Sequence, residues 1–114
     1  MGEEQVQAHL DELEDARTSL IRELESYGTF IGRMRAERAD GSITGAMIDP
    51  EATKTRDSIS NAVQRFSTAL ARSRSAAIRC LVDDQGWTFT QIAKTIGRTR
   101  QLVARLYREV DGQN

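Results

Sequence analysis

From Val6 onward, apolar residues recur in alternating steps of four and three: Val6, Leu10, Leu13, Leu20, Leu24, Tyr27, Ile31 and Met34, with Arg17 filling the one gap. A 3.5-residue repeat keeps one stripe of an α-helix turned toward another helix, so the pattern predicts a helix over about residues 3–38 with a coiled-coil seam. Glu12, Glu14, Asp15, Arg22, Glu23 and Glu25 lie between the apolar positions and read as its solvated face. Gly28 and Gly32 each cost a helix interior about 1 kcal/mol against Ala, which points to a kink or a close crossing there. The period disappears in ADGSITGAMID, so residues 39–49 are expected to form a loop containing Gly41 and Gly45. Asp49 followed by Pro50 is a helix start: the carboxylate can accept a first-turn N–H, and Pro gives up no bond at the first helical position. A second helix over about 50–84 carries the same register through Ala52, Arg56, Ile59, Val63, Phe66, Leu70, Ser73, Ala77 and Cys80, with Leu81 and Val82 widening the stripe.

Two seams of matched length joined by one loop predict a long antiparallel helical hairpin over residues 1–84, because neither stripe can be left in water. Charge adds to this picture. Residues 1–53 hold 5 basic and 12 acidic side chains, whereas residues 54–110 hold 11 basic and 4 acidic. Folding back would set the acidic start of the first helix beside Arg65, Arg72, Arg74 and Arg79. A two-helix hairpin buries little apolar surface alone, so a homodimer is expected, two hairpins making a four-helix bundle side by side or by exchanging helices. Its dimerisation residues would be Leu10, Leu13, Leu20, Leu24, Tyr27, Ile31, Ile59, Val63, Phe66 and Leu70.

After Asp83-Asp84-Gln85-Gly86 the pattern changes to WTFTQIAKTIGRTRQLVARLYREV, two short helical units around a glycine. Thr88 and Gln91 form a T-x-x-Q capping box, and Trp87 and Ile92 stand at the positions of a hydrophobic staple, so a helix starts at Thr88. It ends at Ile96, where Gly97 supplies the left-handed residue of a tight turn. Thr99 can cap the next helix, on which Val103 and Leu106 face back toward Ile92 and Ile96, with Ala93 small enough for a close crossing.

These residues resemble the helix-turn-helix family of DNA-binding domains, whose pattern places a small residue at Ala93, glycine at Gly97 and apolar residues at Ile92, Ile96, Val103 and Leu106. Arg98 departs from it, standing at a turn position where the family usually buries an aliphatic side chain. GWTFTQIAKTIGRTRQ is also similar to the C-terminal promoter-reading region of bacterial sigma factors and to small actinobacterial regulators. The resemblance spans residues 87–110, or 75–110 if Ser75–Gln85 supply a preceding helix. It implies that the second helix of the motif enters the major groove and that Thr99, Arg100, Gln101, Ala104 and Arg105 meet base edges. The side chains suit that role: Arg can grip guanine, Gln adenine, and the Ala methyl fits beside thymine. Thr88, Thr90, Lys94, Arg98 and Arg108 would hold phosphates. Between Lys94 and Arg108 lie five basic residues and no acidic one.

Composition narrows the alternatives. A chain of 114 residues with 39% apolar and 5% aromatic content suits helices packed through Ala and Leu better than a sheet. One Cys excludes an internal disulfide, and His9 with Glu12 makes only half of a metal site, so no metal or cofactor is expected. An enzyme is not expected either: there are no paired carboxylates in a pocket-like pattern, GTFIG at Gly28–Gly32 falls inside the heptads, and Cys80 on an apolar face reads as a buried thiol. No stretch has the roughly 18 apolar residues of a membrane span, and MGEEQVQAHLDELED lacks the form of a secretory signal, which points to the cytoplasm and away from a membrane. The expected protein is an all-α dimer that binds double-stranded DNA in sequence-specific fashion and regulates transcription. Two plainer alternatives are a protein-interaction adaptor, docking its hairpin on RNA polymerase or another regulator, and a pair of helices that merely cap a bundle.

Overall fold

The computed structural model describes residues 2–37 and 50–109, and every element among them is an α-helix. Helix α1 covers Gly2–Glu37 and α2 covers Pro50–Asp83, within a residue or so of their expected bounds. Glu3 and Glu4 in the first turn of α1 and Arg35 in its last complement the helix dipole, and Pro50 does open α2. Helix α3 is Phe89–Ile96 and α4 is Arg100–Arg108. The expected loop 39–49, with Gly41, Gly45 and the Asp49 cap, lies outside the described residues.

The described residues divide into two compact units, and the division falls within both long helices rather than near residue 84. One unit holds 15–37 and 50–66. There, Arg65 donates to Ser19 Oγ at 2.8 Å and Arg33 pairs with Glu51. Going up α1 from Ser19 to Arg33 means going down α2 from Arg65 to Glu51, so these segments run in opposite directions. Ala16, Phe30, Ala52 and Ala62 are buried here; the Phe30 ring stacks with Tyr27 at 6.3 Å, and the Arg33 guanidinium lies over it at 5.6 Å.

The other unit holds 2–14 and 67–109. Arg72 reaches Glu12 at 3.4 Å, and Glu12 also meets His9 at 3.3 Å. Ile78 from α2, Ile92 and Ala93 from α3, and Val103 and Leu106 from α4 form one buried cluster, with Leu81, Val82, Trp87, Phe89, Leu102 and Tyr107 packed against it.

Burial corrects the expected register. On α1 the inward positions are Val6, His9, Leu13, Ala16, Leu20, Glu23, Tyr27, Phe30 and Met34, all buried or half-buried. Leu10, Arg17, Leu24 and Ile31 are exposed. On α2 the inward set is Ala52, Thr55, Ile59, Ala62, Phe66, Ala69, Ser73, Ala76 and Cys80, whereas Arg56, Val63 and Leu70 are exposed. Both inward sets still follow a three-four repeat, but half of each has moved one residue along the chain. Small residues hold several of the shifted positions: Ala16, Ala62 and Ala69 are 1%, 8% and 5% exposed, so alanine methyls stand in the inner stripe where Arg17, Val63 and Leu70 were expected.

Two further expectations change. Gly28 and Gly32 mark no break and no close crossing: α1 runs through both, and a Cβ built at either meets nothing within 4 Å. Of the four arginines expected beside the acidic start of α1, Arg72 finds a carboxylate there. Arg65 bonds a hydroxyl, Arg79 donates to the Tyr107 carbonyl at 3.0 Å, and Arg74 is exposed.

Candidate nucleic-acid interface

The geometry of α3 and α4 follows from local chemistry at three points. Thr88 Oγ accepts from the Gln91 amide at 3.1 Å, while Gln91 Oε1 accepts from the Thr88 amide at 2.8 Å, closing the capping box. Gly97 adopts φ 69°, ψ 37°, a left-handed conformation that glycine reaches without steric cost, and the Arg98 amide then donates back to the Ala93 carbonyl at 3.0 Å. Thr99 caps α4 by accepting from the Leu102 amide at 3.1 Å. Trp87 packs against the cluster that contains Ile92, as a staple residue should.

The side chains expected to meet bases fall into three groups. Gln101 and Arg105 are exposed, and their i, i+4 spacing sets them on one stripe of α4 opposite buried Val103 and Leu106. Exposed Arg108 continues this stripe, so a residue given a phosphate role shares the face of those given base roles. Arg100 lies at the flank, exposed, with its guanidinium 5.7 Å from the centroid of Phe89, which limits its freedom before any ligand arrives. Ala104 is half-buried, and the Thr99 hydroxyl is engaged in the cap.

Among the phosphate candidates, Thr90, Lys94 and Arg98 are exposed. Thr88 is also exposed, but both its hydroxyl and its amide are engaged by Gln91, so its observed work is to fix the start of α3. Ile96 is a correction: it is 43% exposed and takes no part in the buried cluster, where Leu102, Phe89 and Tyr107 pack instead. At the turn position where an aliphatic residue was the family expectation, Arg98 is exposed.

Sequence reasoning did not find the residues that hold α4 against the end of α2. The Tyr107 hydroxyl donates to Asp83 Oδ1 at 2.6 Å, and Arg79 both donates to the Tyr107 carbonyl and lies 5.4 Å from its ring centroid. Ser75, 3% exposed, donates to Glu109 Oε2 at 3.5 Å. These partners are 24 to 34 residues apart in the chain, so no local motif could have signalled them.

The Asp83 hydrogen bond, and then burial, favour the neutral phenol and push the Tyr107 pKa above its ordinary value of 10.0. A phenol whose folded-state pKa is raised contributes stability that is fully present below about pH 10 and is lost as pH rises through the raised value. The midpoint of urea unfolding is therefore expected to fall more steeply above pH 10 in the native chain than in Tyr107→Phe. Parallel profiles would show that the contact contributes nothing to folding.

Among the described residues, no three His, Cys, Asp or Glu side chains gather as metal ligands, and no helix is long and apolar enough to cross a membrane. Cys80 is buried, and burial followed by the nearby Asp84 charge pushes its thiol above the usual range, away from the thiolate a nucleophile needs. No protein-family model, curated protein or solved structure matches this chain.

Proposed function

We propose that this chain is a sequence-specific DNA-binding protein of the cytoplasm, a dimeric transcriptional regulator that reads the major groove of double-stranded DNA with residues 99–108. In this reading α1 and α2 form an antiparallel hairpin stalk. The end of α2 with α3 and α4 forms a helix-turn-helix head. The observation that carries it is the exposed stripe of Gln101, Arg105 and Arg108 on α4, with Arg100 beside it, standing on a face opposite the buried Val103 and Leu106. Residues 85–108 contain no acidic side chain to oppose a phosphate backbone, and Lys94 and Arg98 add exposed charge to either side of the turn. One such head makes few base contacts, whereas two related by a dyad read a repeated half-site and multiply the discrimination.

Selection of bound duplexes from a random pool, with the salt dependence measured on the enriched site, tests the reading. An enriched sequence with two related half-sites is expected, and its affinity should fall less steeply with sequence-independent competitor than that of a random duplex. No enrichment, with equal affinity and salt slope on all duplexes, would leave the basic face without a sequence to read.

A further inference from the structure

We propose that Phe89 is a positioning residue for base recognition: its ring holds the Arg100 guanidinium ready for a guanine of the half-site before DNA arrives. The inference rests on the DNA reading above and adds to it the residue that sets the strength of one base preference.

The side chains given base roles are not held alike. Gln101 and Arg105 are exposed on the outer stripe of α4, and among the described residues neither touches a ring. Arg100 is exposed too, yet its guanidinium carbon stands over the Phe89 ring, 5.7 Å from the centroid and inside the roughly 6 Å reach of a cation–π contact. That contact engages the positive charge and uses none of the N–H donors. Among the described residues Arg100 donates to no acceptor and pairs with no carboxylate. A cation held by its charge, with its donors open, suits a ligand edge that offers two acceptors, and guanine O6 and N7 present such an edge in the major groove.

Local sequence brings the two residues together. Phe89 and Arg100 are each the first residue of a helix, one place after a threonine cap. Thr88 accepts from the Gln91 amide and Thr99 from the Leu102 amide, each at 3.1 Å, so both backbones are fixed where the side chains leave them. The left-handed turn at Gly97 then folds α4 back until its first residue meets the first residue of α3.

The ring is fixed as well. Phe89 is half-buried, and its ring lies 5.3 Å from that of Tyr107 at an interplanar angle of 53°, a favourable tilted pair. Tyr107 is held by its hydrogen bond to Asp83 and by the Arg79 guanidinium, 5.4 Å from its ring centroid. Arg100, Phe89, Tyr107 and Arg79 thus form one chain of contacts: cation, ring, ring, cation. Its two ends differ. Arg79 donates Nε–H to the Tyr107 carbonyl at 3.0 Å, whereas Arg100 has no such partner.

The consequence is entropic. An unrestrained arginine gives up its rotamer freedom when it meets a base, whereas Arg100 has given up part of it beforehand. Removing the ring should weaken the specific complex and spare binding to random duplex, which rests on charge that Arg100 keeps.

A double-substitution cycle in the full chain, on the duplex enriched from a random pool, tests this. Phe89→Leu keeps an apolar side chain against the cluster and removes the ring. It is expected to weaken binding to the enriched duplex about 2-fold to 10-fold, with random-duplex binding and helical circular dichroism unchanged. In an Arg100→Ala background the same substitution should change nothing further. Phe89→Tyr, which keeps a ring, should bind as the native chain does. Without DNA, proton spectra should show the Arg100 Cδ protons shifted upfield by the ring, a shift lost in Phe89→Leu and kept in Phe89→Tyr. An equal loss on enriched and random duplexes, a loss that persists in the Arg100→Ala background, or Arg100 protons indifferent to Phe89→Leu would overturn the inference. So would weakened specific binding by Phe89→Tyr with its proton shift kept. If the native chain enriches no duplex, the DNA reading fails and this inference with it, so the native chain alone tells the two failures apart.

Discussion

Leu106→Ala is expected to destabilise the C-terminal unit by about 2–5 kcal/mol, the usual range for truncating a buried leucine when its surroundings cannot collapse into the space. Leu106 is 1% exposed and shares its cluster with Ile78, Ile92, Ala93 and Val103, which come from three separate helices. Loss of its branched end removes contacts to all three at once. Small domains have a net stability of about 5–15 kcal/mol, with small ones at the low end, so the variant should lose a large share of it and unfold at a much lower urea concentration. Ile96→Ala supplies the comparison. Both residues belong to the same apolar pattern in the sequence, yet Ile96 is 43% exposed and its truncation should cost no more than about 1 kcal/mol. Equal midpoints for the two variants would show that the cluster is not the one described.

The contrast between those two residues shows what kind of information the sequence carries. On a helical wheel Ile96 points between Ile92 and Ala93, so its angular placement is that of a core residue. Its axial placement is not: it is the last residue of an eight-residue helix that ends at Gly97, one turn beyond the buried cluster. Periodicity reports direction around a helix and says nothing of how far along it the opposing surface extends. Where local chemistry alone decides, the reading was complete. Thr88 with Gln91, Gly97 and Thr99 act within four residues of themselves, and each took its expected conformation.

The long helices show the complementary case. Their lengths and the opposed runs of the paired segments were legible because the three-four repeat is long. The phase was not. Between the shared positions Val6, Leu13, Leu20, Tyr27 and Met34, hydrophobicity favours Leu10, Leu24 and Ile31, whereas the inward residues are His9, Ala16, Glu23 and Phe30. A transfer scale ranks leucine above alanine, but packing fixes the phase of the whole stripe at once, so Ala16 and Phe30 turn inward while Leu24 and Ile31 turn out, although Leu13 and Leu20 stay in. Leu10 and Leu24 are left exposed. What reads as a single seam in sequence is thus two surfaces in space, an inward set and an exposed one. The contacts of Tyr107 and Glu109 with Asp83 and Ser75 were invisible for a different reason, since they join distant residues whose partners only the packing of the three helices can choose.

The double substitution Gln101→Ala with Arg105→Ala is expected to abolish recognition of the enriched duplex while leaving the protein folded. Both side chains are exposed, so their removal opens no cavity, and Val103 and Leu106 on the opposite face keep the helix in place. A well-formed bidentate contact to a base contributes about 1–3 kcal/mol of discrimination. Two of them, i and i+4 on one helix and therefore not fully independent, should together cost about 30-fold to 10⁴-fold in affinity for the specific site. Binding to random duplex should weaken far less, because it rests on phosphate contacts; the loss of one positive charge from Arg105 is its main cost. Lys94→Ala makes the opposite change. It should weaken specific and random binding by a similar factor and reduce the salt slope by about 1, as expected of a single phosphate contact. The two variants thus separate the face that reads from the charges that hold. If the double variant loses the same factor on both duplexes, the stripe on α4 acts only as charge, and the basic head belongs to a protein whose selectivity lies elsewhere.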